Sequence, residues 1–139
     1  MILGIGTDLV NIDRFAGWHK YTDIQLRKIF VAAEVVQYQQ FLAQGLSHQA
    51  TTFLASRFAA KEAFYKALCA AYEELYKTKF AGGLIFVSQR IEIVSQASQV
   101  PKITILEALY KEFYKQPLKV YLSLSHEKSH TLAFVVISR

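Results

Sequence analysis

An α+β fold is predicted, with a long central helix packed on a mainly antiparallel sheet. Three observations predict it. Helical periodicity fills the first half of the chain, strand signals fill the second half, and an apolar strand-like run at the N-terminus is placed to join the later sheet. At 139 residues the chain reads as one domain, 1–139, long enough to bury roughly two-thirds of its unfolded surface. Its 53% hydrophobic and 14% aromatic content excludes a disordered chain.

The first element is a short buried strand over 2–8, because Ile2, Leu3 and Ile5 leave little polar face. Asn11 is placed to cap a short helix through Ile12-Asp13-Arg14-Phe15. Thr22 and Gln25 have capping-box spacing. Val31, Val35, Tyr38, Phe41 and Leu42 repeat at helical spacing over about 31–44, and Gly45 follows as a stop. The longest helix begins after Ser47 and runs to about Lys77, uninterrupted by Gly or Pro and rich in Ala, Leu, Glu and Lys. Gly82-Gly83 marks a turn. Residues 84–95 read as strand, 103–105 as a short strand after Pro101, and Glu107–Lys115 as a helix. The strongest β signal comes last: a strand over 120–125, a turn near Glu127–Ser129, and a strand over 131–137.

Lys and Arg number 16 against 11 Asp and Glu, a net charge of +5, which fits an anionic partner without choosing among nucleic acid, acidic protein and phosphorylated small molecule. The single cysteine, Cys69, excludes an intrachain disulfide and suits a reducing compartment. No run approaches the ~18 apolar residues of a membrane span. The N-terminus lacks the pattern of a signal peptide. A soluble, cytoplasmic protein is expected.

Two carboxylates stand out. Asp8 closes the glycine-bearing run Gly4-Ile5-Gly6-Thr7, and Glu62 lies in Arg57-Phe58-Ala59-Ala60-Lys61-Glu62-Ala63-Phe64-Tyr65-Lys66. Brought together, they form a hard oxygen site for Mg²⁺ and a phosphorylated ligand. Taken singly, Asp8 reads equally as a turn residue, and Glu62 with Lys66 as a surface helix pair contributing about 0.2–0.5 kcal/mol. Arg57 and Lys61 add positive charge on an adjacent face, and the crowding of four charges among Phe and Ala reads as a polar seam on a buried helix. The two glycines are not a phosphate loop, since Gly-Lys-Ser/Thr is absent and there is no third glycine of a dinucleotide fingerprint. They read instead as a close backbone approach or a bulge. Ser125 and His126 end a strand; neighbours on a strand point apart, which argues against a hydrolase pair and for hydrogen bonding to a ligand phosphate or ribose. The segment 14–28 carries Arg14, Lys20, Arg27 and Lys28 interleaved with aromatic residues, either a solvated amphipathic face or a docking surface for an acidic protein.

Three motifs in order, Gly4-Ile5-Gly6-Thr7-Asp8, Arg57 to Leu68, and Ser123-Leu124-Ser125-His126, strongly resemble the holo-acyl-carrier-protein synthases, the short type of 4′-phosphopantetheinyl transferase. The resemblance spans essentially the whole chain. It implies transfer of phosphopantetheine from coenzyme A to a serine of acyl carrier protein, in support of fatty acid biosynthesis. It implies Mg²⁺ held by Asp8 and Glu62, with Lys66 stabilising developing charge. It further implies coenzyme A contacts from Arg57, Lys61, Lys66, Ser125 and His126, carrier-protein docking through Arg14, Lys20, Arg27 and Lys28, and a homotrimer with interfacial sites. Where the family usually has Gly-Thr-Gly after Lys-Ala-Leu, this chain has Cys69-Ala70-Ala71-Tyr72, which lengthens the helix. That departure keeps in view an alternative, a catalytically weak module binding coenzyme A or carrier protein. A nucleic-acid-binding domain is permitted by charge and supported by no motif.

Overall fold

The computed structural model describes residues 1–95, 100–106, 109 and 118–139. Strand β1 (Ile2–Asn11) leads through two short 3₁₀ turns, Ile12–Phe15 and Trp18–Lys20, to helices α1 (Asp23–Leu26), α2 (Ala32–Ala43), α3 (Ser47–Tyr76) and α4 (Leu84–Ser88). Strands β2 (Ile91–Val94), β3 (Lys102–Ile105), β4 (Lys119–His126) and β5 (His130–Ser138) follow. β1, β5 and β4 form one antiparallel sheet in that order, and β2 pairs with β3 in a second. The expected helix Glu107–Lys115 lies, apart from buried Leu109, outside the described residues.

Local chemistry sets the element ends. The Asn11 side chain accepts from the Asp13 amide at 3.0 Å. Thr22 and Gln25 close a full capping box at the start of α1. Gly45, at φ 72°, ends α2 in the left-handed conformation that glycine adopts without a Cβ penalty. α3 is about 45 Å long at 1.5 Å per residue and ends at left-handed Lys77. Among the described residues no helix is long and apolar enough to cross a membrane.

Two expectations are corrected. Residues 84–88 are helical, not strand. The run Leu84-Ile85-Phe86-Val87 has no polar alternation, so its period does not decide between the two. The first turn instead closes through Val87 N–H to the Gly83 carbonyl at 3.1 Å, and Arg90 donates to the Phe86 carbonyl at 2.9 Å while its guanidinium covers the Phe86 ring. β1, in turn, is longer than expected and buried on one face only. Leu3, Gly6 and Val10 point inward, whereas Ile5 and Leu9 are exposed.

α3 packs chiefly on β1 and β5, across an inner sheet face of Leu3, Val10, Leu122, Ala133, Val135 and Ile137. Contact with β1 is unusually close. A Cβ on Gly6 would overlap the Ala63 carbonyl oxygen and stand 2.7 Å from the Ala67 amide. One on Gly4 would overlap the Ala67 carbonyl oxygen and stand 2.9 Å from the Ala71 amide. Ala63, Ala67 and Ala71 recur every four residues on one helix face. The glycines therefore let strand backbone touch helix backbone, and the departure Cys69-Ala70-Ala71-Tyr72 continues the alanine stripe.

Candidate active site

The glycine–alanine seam delivers Asp8 to the exposed flank of α3. There the Lys66 ammonium donates to Asp8 Oδ1 at 3.0 Å and to the Thr7 carbonyl at 2.9 Å, and it lies 3.9 Å from Glu62 Oε1. The two carboxylates predicted to converge thus share one ammonium, although they are 54 positions apart in a chain of 139. Asp8 is the more enclosed of the three side chains, at 11% exposure against 28% for Glu62 and 48% for Lys66. Its Oδ2 is buried without a hydrogen-bond partner, a costly arrangement unless a cation or water takes up that oxygen. Two acidic side chains sharing one ammonium, one of them with an unpartnered oxygen, fit Mg²⁺, which typically takes one or two carboxylates and draws its other ligands from water and substrate phosphates. Among the described residues no group of three or more His, Cys, Asp and Glu side chains gathers elsewhere to hold a metal.

Lys61 does not join them. It is fully buried, ion-paired to Glu34 Oε1 at 2.8 Å, and it donates to the carbonyls of Ser88 and Ile91 at 2.7 Å each. With three acceptors around it inside the core, Lys61 has no donor left for coenzyme A, and the binding role expected of it is corrected. Burial lowers its pKa and Glu34 opposes that shift. Glu34 also accepts from the amides of Val31 and Ile93, both at 2.9 Å, so one carboxylate ties the start of α2 to α3 and β2. Sequence reasoning missed Glu34. Its signal is a Glu three residues after the α2 N-cap, masked because Val31 stands where a capping box has Ser or Thr.

Arg57 lies five positions before Glu62, about 140° around the helix. It opens instead onto a cleft of about 970 Å³ between α2, α3, β2 and β4, whose walls include Phe53, Ser95 and His126. The Arg57 guanidinium donates to Ser56 and Ser95 hydroxyls and stacks 4.1 Å over the Phe53 ring, while its Nε is buried and unpartnered. Burial lowers the Arg57 pKa and Glu34 works against it. His126 reaches this cleft; Ser125, one residue earlier, is exposed and pairs in register with exposed Leu132, on the opposite sheet face. The structure therefore unites Asp8, Glu62 and Lys66, and separately Arg57 and His126. Ser125 stands apart from both groups within one chain.

Arg14, Lys20, Arg27 and Lys28 are all exposed. A ladder of rings, Phe58–Phe15–Trp18–Tyr21 with Phe30 beside Trp18, fastens their segment to α3. Arg14 lies 5.0 Å over the Phe58 ring, and Phe58 precedes Glu62 by one helical turn. The basic surface thus adjoins the carboxylates. Cys69, the free cysteine, is half-buried on α3, and its thiol one helical turn from Tyr65, together with burial, raises the Tyr65 pKa.

A family model described as the 4′-phosphopantetheinyl transferase superfamily matches residues 4–135. The chain belongs to this superfamily. Among transferases of the superfamily, the holo-[acyl-carrier-protein] synthase of Wolbachia pipientis subsp. Culex pipiens (strain wPip) is 36% identical over 138 residues, covering 99% of this chain and 98% of that one. The synthase of Zymomonas mobilis subsp. mobilis is 38% identical over 144 residues, covering 99% and 96%. In three dimensions the chain resembles holo-[acyl-carrier-protein] synthase from Neisseria meningitidis, with TM-score 0.73, 32% identity and full coverage of both chains. It also resembles the Helicobacter pylori enzyme in complex with coenzyme A, with TM-score 0.65, 26% identity and coverage of 96% and 99%. These phosphopantetheinyl transferases share the long helix against an antiparallel sheet, so the α+β expectation holds.

Proposed function

We propose that this chain is a holo-acyl-carrier-protein synthase: it moves 4′-phosphopantetheine from coenzyme A to a serine hydroxyl of apo-acyl carrier protein, and adenosine 3′,5′-bisphosphate leaves. The convergence of Asp8, Glu62 and Lys66 carries this reading beyond family membership. In the transfer, a bond forms between serine Oγ and the β-phosphorus, and the bond from that phosphorus to the bridging oxygen breaks. Glu62, the more accessible carboxylate, receives the serine proton. Lys66 donates to phosphate oxygens as charge shifts toward the leaving group, and Asp8 fixes the site against the sheet. Mg²⁺ bound by Asp8 and Glu62 would offset pyrophosphate charge and orient the phosphorus for in-line attack. Residues 1–139 are read as one transferase domain, and the single Cys69 is consistent with a cytoplasmic reaction.

The decisive experiment is a mass measurement. Apo-acyl carrier protein incubated with coenzyme A, Mg²⁺ and this protein should gain the mass of one phosphopantetheine, and should not when EDTA replaces Mg²⁺. Coenzyme A binding without modification of any carrier protein tried would instead favour the binding-module alternative.

Two features of the surface extend the proposal. The outer sheet face exposes Ile5, Leu9, Tyr121, Leu132 and Phe134, a contiguous apolar patch of the kind that marks a protein interface. A homotrimer closing over this face would cover it, bring Ser125 to a neighbour, and let one protomer's Arg57 cleft complete another's carboxylate pair. Light scattering should return three times the chain mass, and Leu132→Lys with Phe134→Lys should yield monomers with little activity; a monomeric wild type of full activity would refute the assembly. The basic segment beside Phe58 is read as the carrier-protein dock. Reversing Arg14 and Arg27 to Glu should raise the KM for carrier protein at least about tenfold, with the KM for coenzyme A nearly unchanged. Equal effects on both KM values would argue against docking there.

A further inference from the structure

We infer that Lys66 competes with the divalent cation for the Asp8–Glu62 carboxylates, and that the coenzyme A pyrophosphate relieves this competition by taking up the ammonium. The inference rests on the reading of those carboxylates as the metal site. The ammonium is within hydrogen-bond distance of Asp8 Oδ1 and lies 3.9 Å from Glu62 Oε1, so it offsets the charge of the two carboxylates that a dication would use, while Asp8 Oδ2 stays unpartnered. A dication entering beside it meets a like charge at close quarters. Of the three side chains, Lys66 is the one free to move. Its four-carbon stem is flexible and half exposed, whereas Asp8 is fixed on a strand whose backbone abuts α3. Release costs the ammonium its bonds to Asp8 and Thr7, and a phosphate oxygen at the mouth of the site replaces them.

Metal and coenzyme A are therefore coupled through one side chain, and by linkage each must tighten the other by the same factor. Pyrophosphate also supplies metal ligands directly, so the coupling has two sources. Removing the Lys66 charge separates them. It should strengthen metal binding in the absence of coenzyme A and shrink, without abolishing, the enhancement that coenzyme A brings.

The test is a Mn²⁺ titration followed by electron paramagnetic resonance, without carrier protein, on wild type, Lys66→Met and Lys66→Arg, each with and without coenzyme A. For Lys66→Met alone the Kd for Mn²⁺ should fall at least about fivefold, the lower end of ordinary coupling between sites; Lys66→Arg should stay near wild type. Should Lys66→Met fold poorly by circular dichroism, Lys66→Gln serves in its place. Mn²⁺ affinity unchanged or weakened in the neutral variant overturns the competition while leaving the metal site standing. Asp8→Asn distinguishes the deeper failure: if it binds Mn²⁺ as tightly as wild type, the metal reading falls and this inference with it.

Discussion

Glu62→Gln is expected to lower kcat by about 10²–10⁴-fold, the range for losing a positioned acid–base group, with the fold intact. Glutamine keeps the shape of the side chain but removes the charge that accepts a proton and binds a cation. The structural cost is small because Glu62 is partly exposed and meets Lys66 only at 3.9 Å; such pairs contribute about 0–1 kcal/mol. Turnover measured beside a thermal melt checks both halves. Near-normal kcat in a folded variant removes Glu62 from the reaction.

Gly6→Ala is expected to act by a wholly different route. The added methyl would overlap the Ala63 carbonyl oxygen, so β1 and α3 must separate. Overpacking of this kind costs about 1–3 kcal/mol. Asp8 lies two residues along the same strand, and a shift near 1 Å at a reacting site can cost about 10²-fold in rate. Loss of stability and activity should therefore appear together. Ala63→Gly should not rescue the variant, because the obstruction is backbone; rescue by that second change would disprove the account. A denaturant melt and a single turnover assay on the single and double variants decide it.

Features set by neighbours in sequence were legible. Thr22 and Gln25 announce their capping box, Gly45 its stop, and the terminal hairpin its alternation, because each depends on chemistry within a few residues. Asp8 and Glu62 were legible as a pair only through motif order. Nothing in their own surroundings encodes a meeting across a strand–helix seam, although the two glycines carried the hint of a close approach. Lys61 was misread for the same reason. The polar seam on a buried helix was legible, but which of its charges turns into the core is decided by Glu34, 27 positions upstream of Lys61, together with two carbonyls near β2. Residues 84–88 show a further kind of ambiguity: four apolar residues in a row satisfy strand and helix equally, and only the capping backbone of Gly83 and the reach of Arg90 select the helix.

The seam of Gly4 and Gly6 on Ala63, Ala67 and Ala71 has one more consequence, for how far the rest of the protein can change. The gap between strand and helix is set by peptide groups, which have no rotamers and hardly vary in dimension. Larger or smaller residues elsewhere in the interior can tilt other elements without altering it. The seat of Asp8 is thus insulated from drift in the surrounding sequence, and extensive repacking of the distant core should leave the spacing of the two carboxylates as it is.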